Sequence, residues 1–425
     1  MRWLERISDY IVIIFLLLSL STSNAVVEKT WERVQILAED HAFDFTTWTR
    51  DAVWIKITQA AIGSPRYFSA PAQHEAVKQY LRVVAEIEQT EYELDLIYAD
   101  PAINDPQTAS TALRQKLADL TKRQNALAPL SEATLEQQVS TVLNDLGLLD
   151  GGQPIPWVLY HVSPLPNNLI ISPRDKIYQE TSYQLEPGIT VEQSDRLENT
   201  VSKNLNVSAL VVPIGGLATY PTMIMRVTTL DWLSSTIAHE WIHLYLGQRP
   251  LGQNYGTNGE LRTMNETTAS IAGNEIGRIV LERYYPELAQ RPPDSPQLVS
   301  HLTNPRQPED TPPPFDYRAE MHTTRVNVDE MLAAGKIEAA EAYMEQRRLL
   351  FWQHGHPIRK LNQAYFAFYG AYADVPGGAA GEDPVGPAVR ALREQSASLK
   401  EFLERIAQMS SFEELKAAAG QEKSY

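Results

Sequence analysis

The chain has 425 residues, 43% of them hydrophobic, with a formal net charge of -16 and no cysteine. A chain of this length can bury more than one core, so more than one domain is expected. Its acidic surface repels phosphate backbones and Lys and Arg form no basic cluster, so nucleic-acid binding is not expected. The absence of cysteine excludes disulfides, thiolate nucleophiles and cysteine-ligated zinc, so any metal must be held by His, Asp or Glu.

The N-terminus predicts a signal peptide or a membrane anchor within residues 1–25. An apolar run from Tyr10 to Leu20 follows two arginines. About eleven apolar residues suit a signal peptide better than a membrane span, which needs roughly 20. If the run is counted on to Val27 it approaches spanning length, so a membrane tether through residues 10–27 is the second possibility, and a buried helix is the third. Either of the first two predicts an extracytoplasmic protein, secreted or anchored.

Residues 26–149 predict a bundle of long helices. In the stretch EAVKQYLRVVAEIEQTEYELDLIYADP, apolar residues recur every three to four positions, and Pro101 closes the pattern. The charges between them are expected to form solvated helix faces rather than a site.

Residues 150–290 begin with Gly/Pro turns and β-rich runs. Strands are predicted over residues 157–162, 168–172 and 176–185. Two further strands are predicted on either side of Gly215-Gly216. Pro221 lies inside the second of these, which predicts an edge strand because proline cannot donate to a central ladder.

Two helices follow these strands. The first is predicted to begin at a capping box over Thr228–Asp231 and to stop at Gly247, and the second to run from near Gly259 to Leu288. A Pro-rich linker over residues 291–316 and a helical region over residues 317–425 complete the chain. The predicted class is α+β, predominantly α-helical.

The segment TIAHEWIHLYL lies in the first of these helices and is apolar except at its centre. His239 and His243 are four residues apart and share one helix face, so both can bind one Zn²⁺ at about 2.0–2.1 Å. Glu240 can take a proton from a water on that metal without being a ligand. This H-E-x-x-H pattern is typical of zinc metallopeptidases. A pair of core histidines beside a stray glutamate is the structural alternative.

A catalytic zinc needs a third protein ligand and an open position. The downstream stretch MNETTASIAGNEIG offers Glu266 and Glu275, and Glu260 is a further candidate. Glu275 is nine residues from Glu266, about 900° round a helix, so it is expected to face away as a surface charge.

With these residues the sequence resembles the gluzincin group of zinc metallopeptidases, in which a second helix supplies a glutamate through an N-E-x-x-[AS] pattern. Asn265–Ser270, NETTAS, matches that pattern, and the resemblance covers about Ser208 to Glu287. It implies Glu266 as third ligand, one Zn²⁺ per chain, and a zincin-like catalytic core. That core would contain a small antiparallel or mixed sheet and two active-site helices, flanked by helical regions.

The sequence departs from that group at two points. Twenty-two residues separate His243 from Glu266, slightly more than is common there, which requires a longer loop. Some members carry an aspartate where this chain has Ser270. Ser270 and Asn265 are therefore the candidates for hydrogen bonds that support the ligands.

Related enzymes also use a Tyr, His or Arg from the C-terminal part to stabilise the oxyanion. The candidates here are His322, Arg325, His354, His356, Tyr365, Tyr369 and Tyr372. Aromatic core packing is the alternative for the tyrosines. For the H-G-H stretch the alternatives are a second metal site and a solvated loop.

The sequence thus predicts an extracytoplasmic zinc peptidase in which Glu240 activates water against a peptide bond. The stretch GGLATYPTM is suitably placed to hold an extended peptide or protein substrate by strand addition, unless it is an ordinary hairpin. Two other functions fit the same motif. One is a non-catalytic extracytoplasmic scaffold or binding protein with a degenerate or structural metal site, and the other is a zinc hydrolase of non-peptide bonds. Endopeptidase and aminopeptidase action both remain open.

Overall fold

The computed structural model describes residues 29–99, 103–289, 315–371 and 384–420. The predicted signal peptide or anchor, with its tether at residues 10–27, lies outside these ranges, as does the Pro-rich linker up to residue 314. Within the described ranges, no helix combines the length and the apolar character needed to cross a membrane.

The predicted α+β, predominantly helical class is confirmed. The helices are α1 (Thr30–Ala38), α2 (Phe45–Ile62), α3 (Ala70–Ala99), α4 (Pro106–Ala109), α5 (Thr111–Asp145), α6 (Val191–Leu205), α7 (Leu230–Gly247), α8 (Pro250–Gln253), α9 (Gly259–Tyr284), α10 (Pro286–Ala289), α11 (Tyr317–Ala333), α12 (Ile337–Gln353), α13 (Gln363–Tyr369), α14 (Val385–Gln395), α15 (Leu399–Ala407) and α16 (Phe412–Ala419). The strands are β1 (Tyr160–Val162), β2 (Asn167–Pro173), β3 (Thr181–Leu185), β4 (Val207–Pro213), β5 (Gly216–Leu217) and β6 (Thr222–Ile224).

The first sheet has the order β3-β2-β4, is antiparallel throughout and is covered on both faces. Ile170 of β2 and its cross-strand partner Leu210 pack against α11, α12 and α13. Leu169 and Ile171 belong to the cluster on the other face, which α1 and α6 complete. Because side chains alternate between the two faces, a strand covered on both sides is apolar at successive positions.

The second sheet has the order β1-β6-β5, and the edge-strand prediction is wrong here. β6 is the central strand, with Thr222 paired in parallel to Tyr160 and Met223 paired in antiparallel to Leu217. Pro221 falls just before β6, so the ladder does not need the N–H that proline lacks. The edge is β5.

Two local predictions also differ from the structure. The strand predicted over residues 176–185 begins only at Thr181, because Ser172 Oγ donates to the Lys176 carbonyl and holds a turn between β2 and β3. The predicted capping box is absent, since Thr229 is the N-cap of α7 but its side chain accepts no backbone hydrogen bond. The buried Leu230 places the first turn of α7 in the core instead.

The largest hydrophobic cluster joins helices from the three regions 26–149, 150–290 and 317–425. Val84 of α3, Ile237 of α7 and Phe402 of α15 belong to it. The regions before and after residues 150–290 therefore share a core with the segment that carries the motif.

Helices α7 and α9 approach each other closely inside this cluster, at two glycines of α9. A Cβ on Gly273 would lie 2.9 Å from the Cβ of His239, and one on Gly277 would lie 2.3 Å from the Oγ of Ser235. Neither position has room for a larger side chain. These contacts set the distance between the two helices that carry the candidate metal ligands.

Candidate metal centre

Three side chains from α7 and α9 converge on one point. The Nε2 atoms of His239 and His243, one turn apart on α7, are 3.0 Å apart. Glu266 comes from α9, and its Oε2 lies 3.3 Å from His243 Nε2 and 3.7 Å from His239 Nε2. In the part of the chain that the structure describes, no other three His, Cys, Asp or Glu side chains converge in this way.

The arrangement fits a zinc ion. A tetrahedral zinc with bonds of about 2.0–2.1 Å keeps its ligand atoms roughly 3.3 Å apart, and the three separations, 3.0, 3.3 and 3.7 Å, lie on both sides of that value. Glu266 Oε2 is buried and has no hydrogen-bond partner, a costly state that a bound cation relieves. Two imidazoles and one carboxylate are also a known donor set of catalytic zinc sites.

Asn265 orients one of the two histidines. His243 Nδ1 lies 2.7 Å from Asn265 Oδ1, so the ring donates its Nδ1–H to the amide oxygen. In the neutral ring, Nε2 of His243 then directs its lone pair toward the convergence point, where a metal can replace the proton. Ser270, the other residue predicted to support the ligands, makes no hydrogen bond to either histidine in the described structure.

Tyr255 holds the second oxygen of Glu266 and Arg262 holds Tyr255; neither residue is predicted from the sequence. The Tyr255 hydroxyl donates to Glu266 Oε1, and Arg262 Nε donates to that hydroxyl over 3.1 Å. Tyr255 lies between α8 and α9, in a segment that the motif spacing identifies only as a longer connection. Arg262 could have been found, since it is four residues before Glu266 and therefore on the same helix face.

The electrostatics of the site favour a positive charge. Burial opposes ionisation of Glu266, but His243 and His239 outweigh it and hold the pKa of that carboxyl well below its usual range. Burial likewise opposes protonation of His243, yet Glu266 and Glu240 raise its pKa to about 9. The same pocket therefore stabilises either a proton or a metal cation.

Glu240 lies beside the three ligand candidates. Burial raises its pKa against the opposing effect of the two histidines, and the Glu266 charge raises it further. The backbone of Gly216 packs directly on this carboxyl, since a Cβ on Gly216 would lie 2.3 Å from Glu240 Oε1. The edge strand β5 thus runs against the side chain predicted to move the proton.

The residues proposed as oxyanion stabilisers are dispersed. Arg325 of α11 lines a cavity together with Arg262. Tyr365 and Tyr369 pack in the aromatic cluster beside the first sheet, where Tyr365 Oη lies 3.2 Å from Tyr317 Oη. His322 is half-buried on α11. No described hydrogen bond or ring contact joins these side chains to the three ligand candidates.

The remaining candidates have structural contacts or lie outside the described ranges. The His354 ring stacks on Phe315, with centroids 4.0 Å apart, and His356 packs on the same ring. This pair belongs to no metal-type cluster among the described residues. Tyr372 lies outside those residues.

Two other carboxylates of α9 lie away from the convergence point. Glu275 pairs with Arg393 over 2.8 Å, so it links α9 to α14. Glu260 is exposed at the rim of the cavity that Arg262 lines. Glu266 is therefore the carboxylate of α9 that meets both histidines.

Comparisons of the chain with protein-family models, with curated proteins and with solved structures find no match. Any function must therefore be argued from the residues and their geometry.

Proposed function

We propose that this chain is an extracytoplasmic zinc-dependent metallopeptidase of the gluzincin type. The observation that carries the proposal is the convergence of His239 Nε2, His243 Nε2 and Glu266 Oε2 from two packed helices. Its zincin-like core consists of α7, α9 and the mixed sheet. A zinc ion held there by these three side chains would polarise a carbonyl oxygen and lower the pKa of a bound water.

The residues around the convergence point supply the proton transfers and the positioning. Glu240 accepts a proton from the attacking water and delivers it to the leaving amine nitrogen. Burial raises the pKa of this carboxyl above its usual range, which favours its uptake of a proton. Asn265 fixes the ring of His243, and Tyr255 fixes the carboxylate of Glu266.

The position of β5 supports a peptide or protein as substrate. This strand is the edge of its sheet, and its Gly216 packs on the carboxyl of Glu240. An extended peptide that adds to such an edge binds through its backbone. The carbonyl groups of the bound peptide then lie close to Glu240, as hydrolysis of a peptide bond requires.

A non-catalytic scaffold with a metal site is the competing function. Structural zinc sites are closed by four protein ligands, whereas three side chains converge within the described ranges. A position left for water favours catalysis over a structural role.

Zinc content and peptide cleavage, measured on the same samples, test the proposal. The wild type should bind one zinc and cleave members of a peptide library. Glu266→Gln should lose the zinc, while Glu240→Gln should keep it and lose cleavage by about 10²–10⁴-fold. Glu275→Gln, on the same helix but paired with Arg393, is the control and should match the wild type.

Each other result has a distinct meaning. A wild type that binds no zinc after reconstitution excludes the enzyme. Zinc without cleavage of any peptide or ester supports the scaffold, and cleavage of esters alone indicates a hydrolase of non-peptide bonds.

A further inference from the structure

A cavity of about 460 Å³ opens at the first turn of α9. It is enclosed by the turn between β2 and β3, by α11 and by the end of α13, and none of the three ligand candidates lines it. Its volume is in the range of pockets that bind small molecules or single side chains.

Positive charge dominates the lining of this cavity. Lys176, Arg262 and Arg325 line it from three different segments of the chain. Lys176 and the acidic residue of the lining, Glu260, are both exposed, whereas Arg262 is buried and the side chain of Arg325 is largely buried. Such a cavity attracts an anionic group.

Arg325 supplies donors that no residue uses. Its side chain is 14% exposed, and its Nε donates to Asp329 over 2.7 Å. In the described structure, its two terminal nitrogens have no hydrogen-bond partner. The guanidinium carbon lies over the ring of Phe366, 5.7 Å from the centroid. A guanidinium that is held at Nε and has free terminal N–H groups matches the two oxygens of a carboxylate.

The cavity is linked to the candidate metal centre through Arg262. This side chain donates to the Ala367 carbonyl in the cavity wall over 2.9 Å and to the Tyr255 hydroxyl, which in turn donates to Glu266. Thr263, also in the lining, precedes Glu266 by three residues, a rise of about 4.5 Å along the helix. An extended peptide covers that distance in one or two residues, at about 3.3 Å each.

We propose that this cavity binds a peptide carboxylate through the terminal N–H groups of Arg325, beside the positive charge of Arg262 and a few residues from the bond to be cleaved. The inference rests on the proposed function for its substrate class. The carboxylate is either the C-terminus of the peptide or an acidic side chain. The first makes the enzyme a carboxy-terminal exopeptidase, and the second an endopeptidase with an acidic subsite.

Binding of labelled peptides to the full-length Glu240→Gln chain tests this proposal without turnover. The probes are an N-terminally dansyl-labelled alanine tetrapeptide with a free carboxylate, its amide, and the amide with a glutamate at the last position; the label itself is uncharged. Fluorescence anisotropy gives the affinities, and the zinc content of each sample is measured alongside. A charge-assisted, bidentate contact should make at least one of the carboxylate peptides bind at least about 10-fold more tightly than the plain amide.

Two further substitutions in that background localise the effect. Arg325→Gln should reduce the carboxylate preference to about twofold or less, since the terminal N–H groups are lost. Arg318→Gln removes an exposed arginine of the same helix that does not line the cavity, so the preference should persist. Tighter binding of the free acid assigns the terminus, and tighter binding of the glutamyl amide assigns the side chain.

The inference is overturned if all three probes bind equally, if none binds, or if Arg318→Gln has the same effect as Arg325→Gln. A sample that prefers carboxylate but contains no zinc would refute the proposed enzyme and leave the anion site standing. The two proposals can therefore fail separately.

Discussion

Gly216 and Glu240 are in contact across the boundary between the edge strand and the motif helix. A methyl group on the glycine would lie 2.3 Å from the carboxylate oxygen, well inside van der Waals distance. The strand can approach the general base of the proposed mechanism only because this residue has no side chain.

Gly216→Ala should therefore lower peptide cleavage by about 10-fold or more, because Glu240 must move away from its position. Zinc content should be unchanged, since no ligand candidate is touched. Gly188→Ala is the control, because a Cβ there meets nothing within 4 Å. Loss of zinc together with activity would mean that the substitution disturbs the whole centre rather than the base.

Gly277→Ala should destabilise the fold by about 1–3 kcal/mol, since the added methyl group overpacks α9 against Ser235 of α7. Gly247→Ala, at the end of α7, is the matched helical control. Its Cβ meets no neighbour, so the change should be neutral or stabilising by up to about 1 kcal/mol. Denaturant unfolding monitored by circular dichroism measures both. Equal effects of the two substitutions would contradict the close helix contact.

Tyr255→Phe should weaken zinc binding by about 10–100-fold, because Glu266 loses the hydroxyl that fixes one of its oxygens. Competition with a chromophoric chelator measures the affinity. Tyr365→Phe removes a hydroxyl that bonds to Tyr317 instead, so its zinc affinity should equal that of the wild type. If Tyr365→Phe lowers turnover without changing zinc affinity, the oxyanion role predicted from the sequence is supported.

A buried cluster of ionisable side chains between α2, α5 and β1 should make the free energy of unfolding depend on pH. Lys56 Nζ lies 2.6 Å from Glu132 and 2.7 Å from Glu136. Burial raises the pKa of Glu136 to about 7, from an ordinary value of 4.5. The positive charge of Lys56 does not keep the Glu136 pKa low, because the ionised Glu132, whose pKa is lowered, already neutralises Lys56. The native state therefore retains the Glu136 proton at pH values where the unfolded chain has lost it.

The pKa of Glu136 is higher in the folded protein than in the unfolded chain. Its contribution to the free energy of unfolding is therefore fully present below about pH 4.5 and is lost as pH rises through 7. A shift of this size corresponds to about 3 kcal/mol at most. The free energy of unfolding of the wild type should thus fall relative to that of Glu136→Gln between pH 5 and 8. Urea denaturation at several pH values measures the difference. Parallel profiles for the two chains would exclude a protonated Glu136.

The parts of the site that sequence predicts are those set by local spacing. His239 and His243 share a face because four residues make about one helical turn. The apolar run predicts β2 to within one residue at each end. The edge strand was assigned wrongly, because whether Pro221 lies inside a strand or just before it depends on pairing with β1 and not on the local pattern.

Contacts between distant segments could not be predicted in this way. The cavity brings Lys176 and Arg325 together from positions far apart in the chain. Lys56 meets Glu132 in a region whose charges were expected to be solvated. The hydrophobic periodicity of the sequence does not predict such pairs, because each depends on how three or more helices and strands pack together.

Arg262 links the cavity to the candidate metal centre. One nitrogen of its guanidinium holds the wall of the cavity at Ala367, and another holds the tyrosine that fixes Glu266. Any displacement of this side chain by an occupant of the cavity changes the energy of the Glu266 carboxylate at the proposed metal position. Thermodynamic linkage then requires reciprocity: occupancy of the cavity and occupancy of the metal position alter each other's dissociation constants by one common factor.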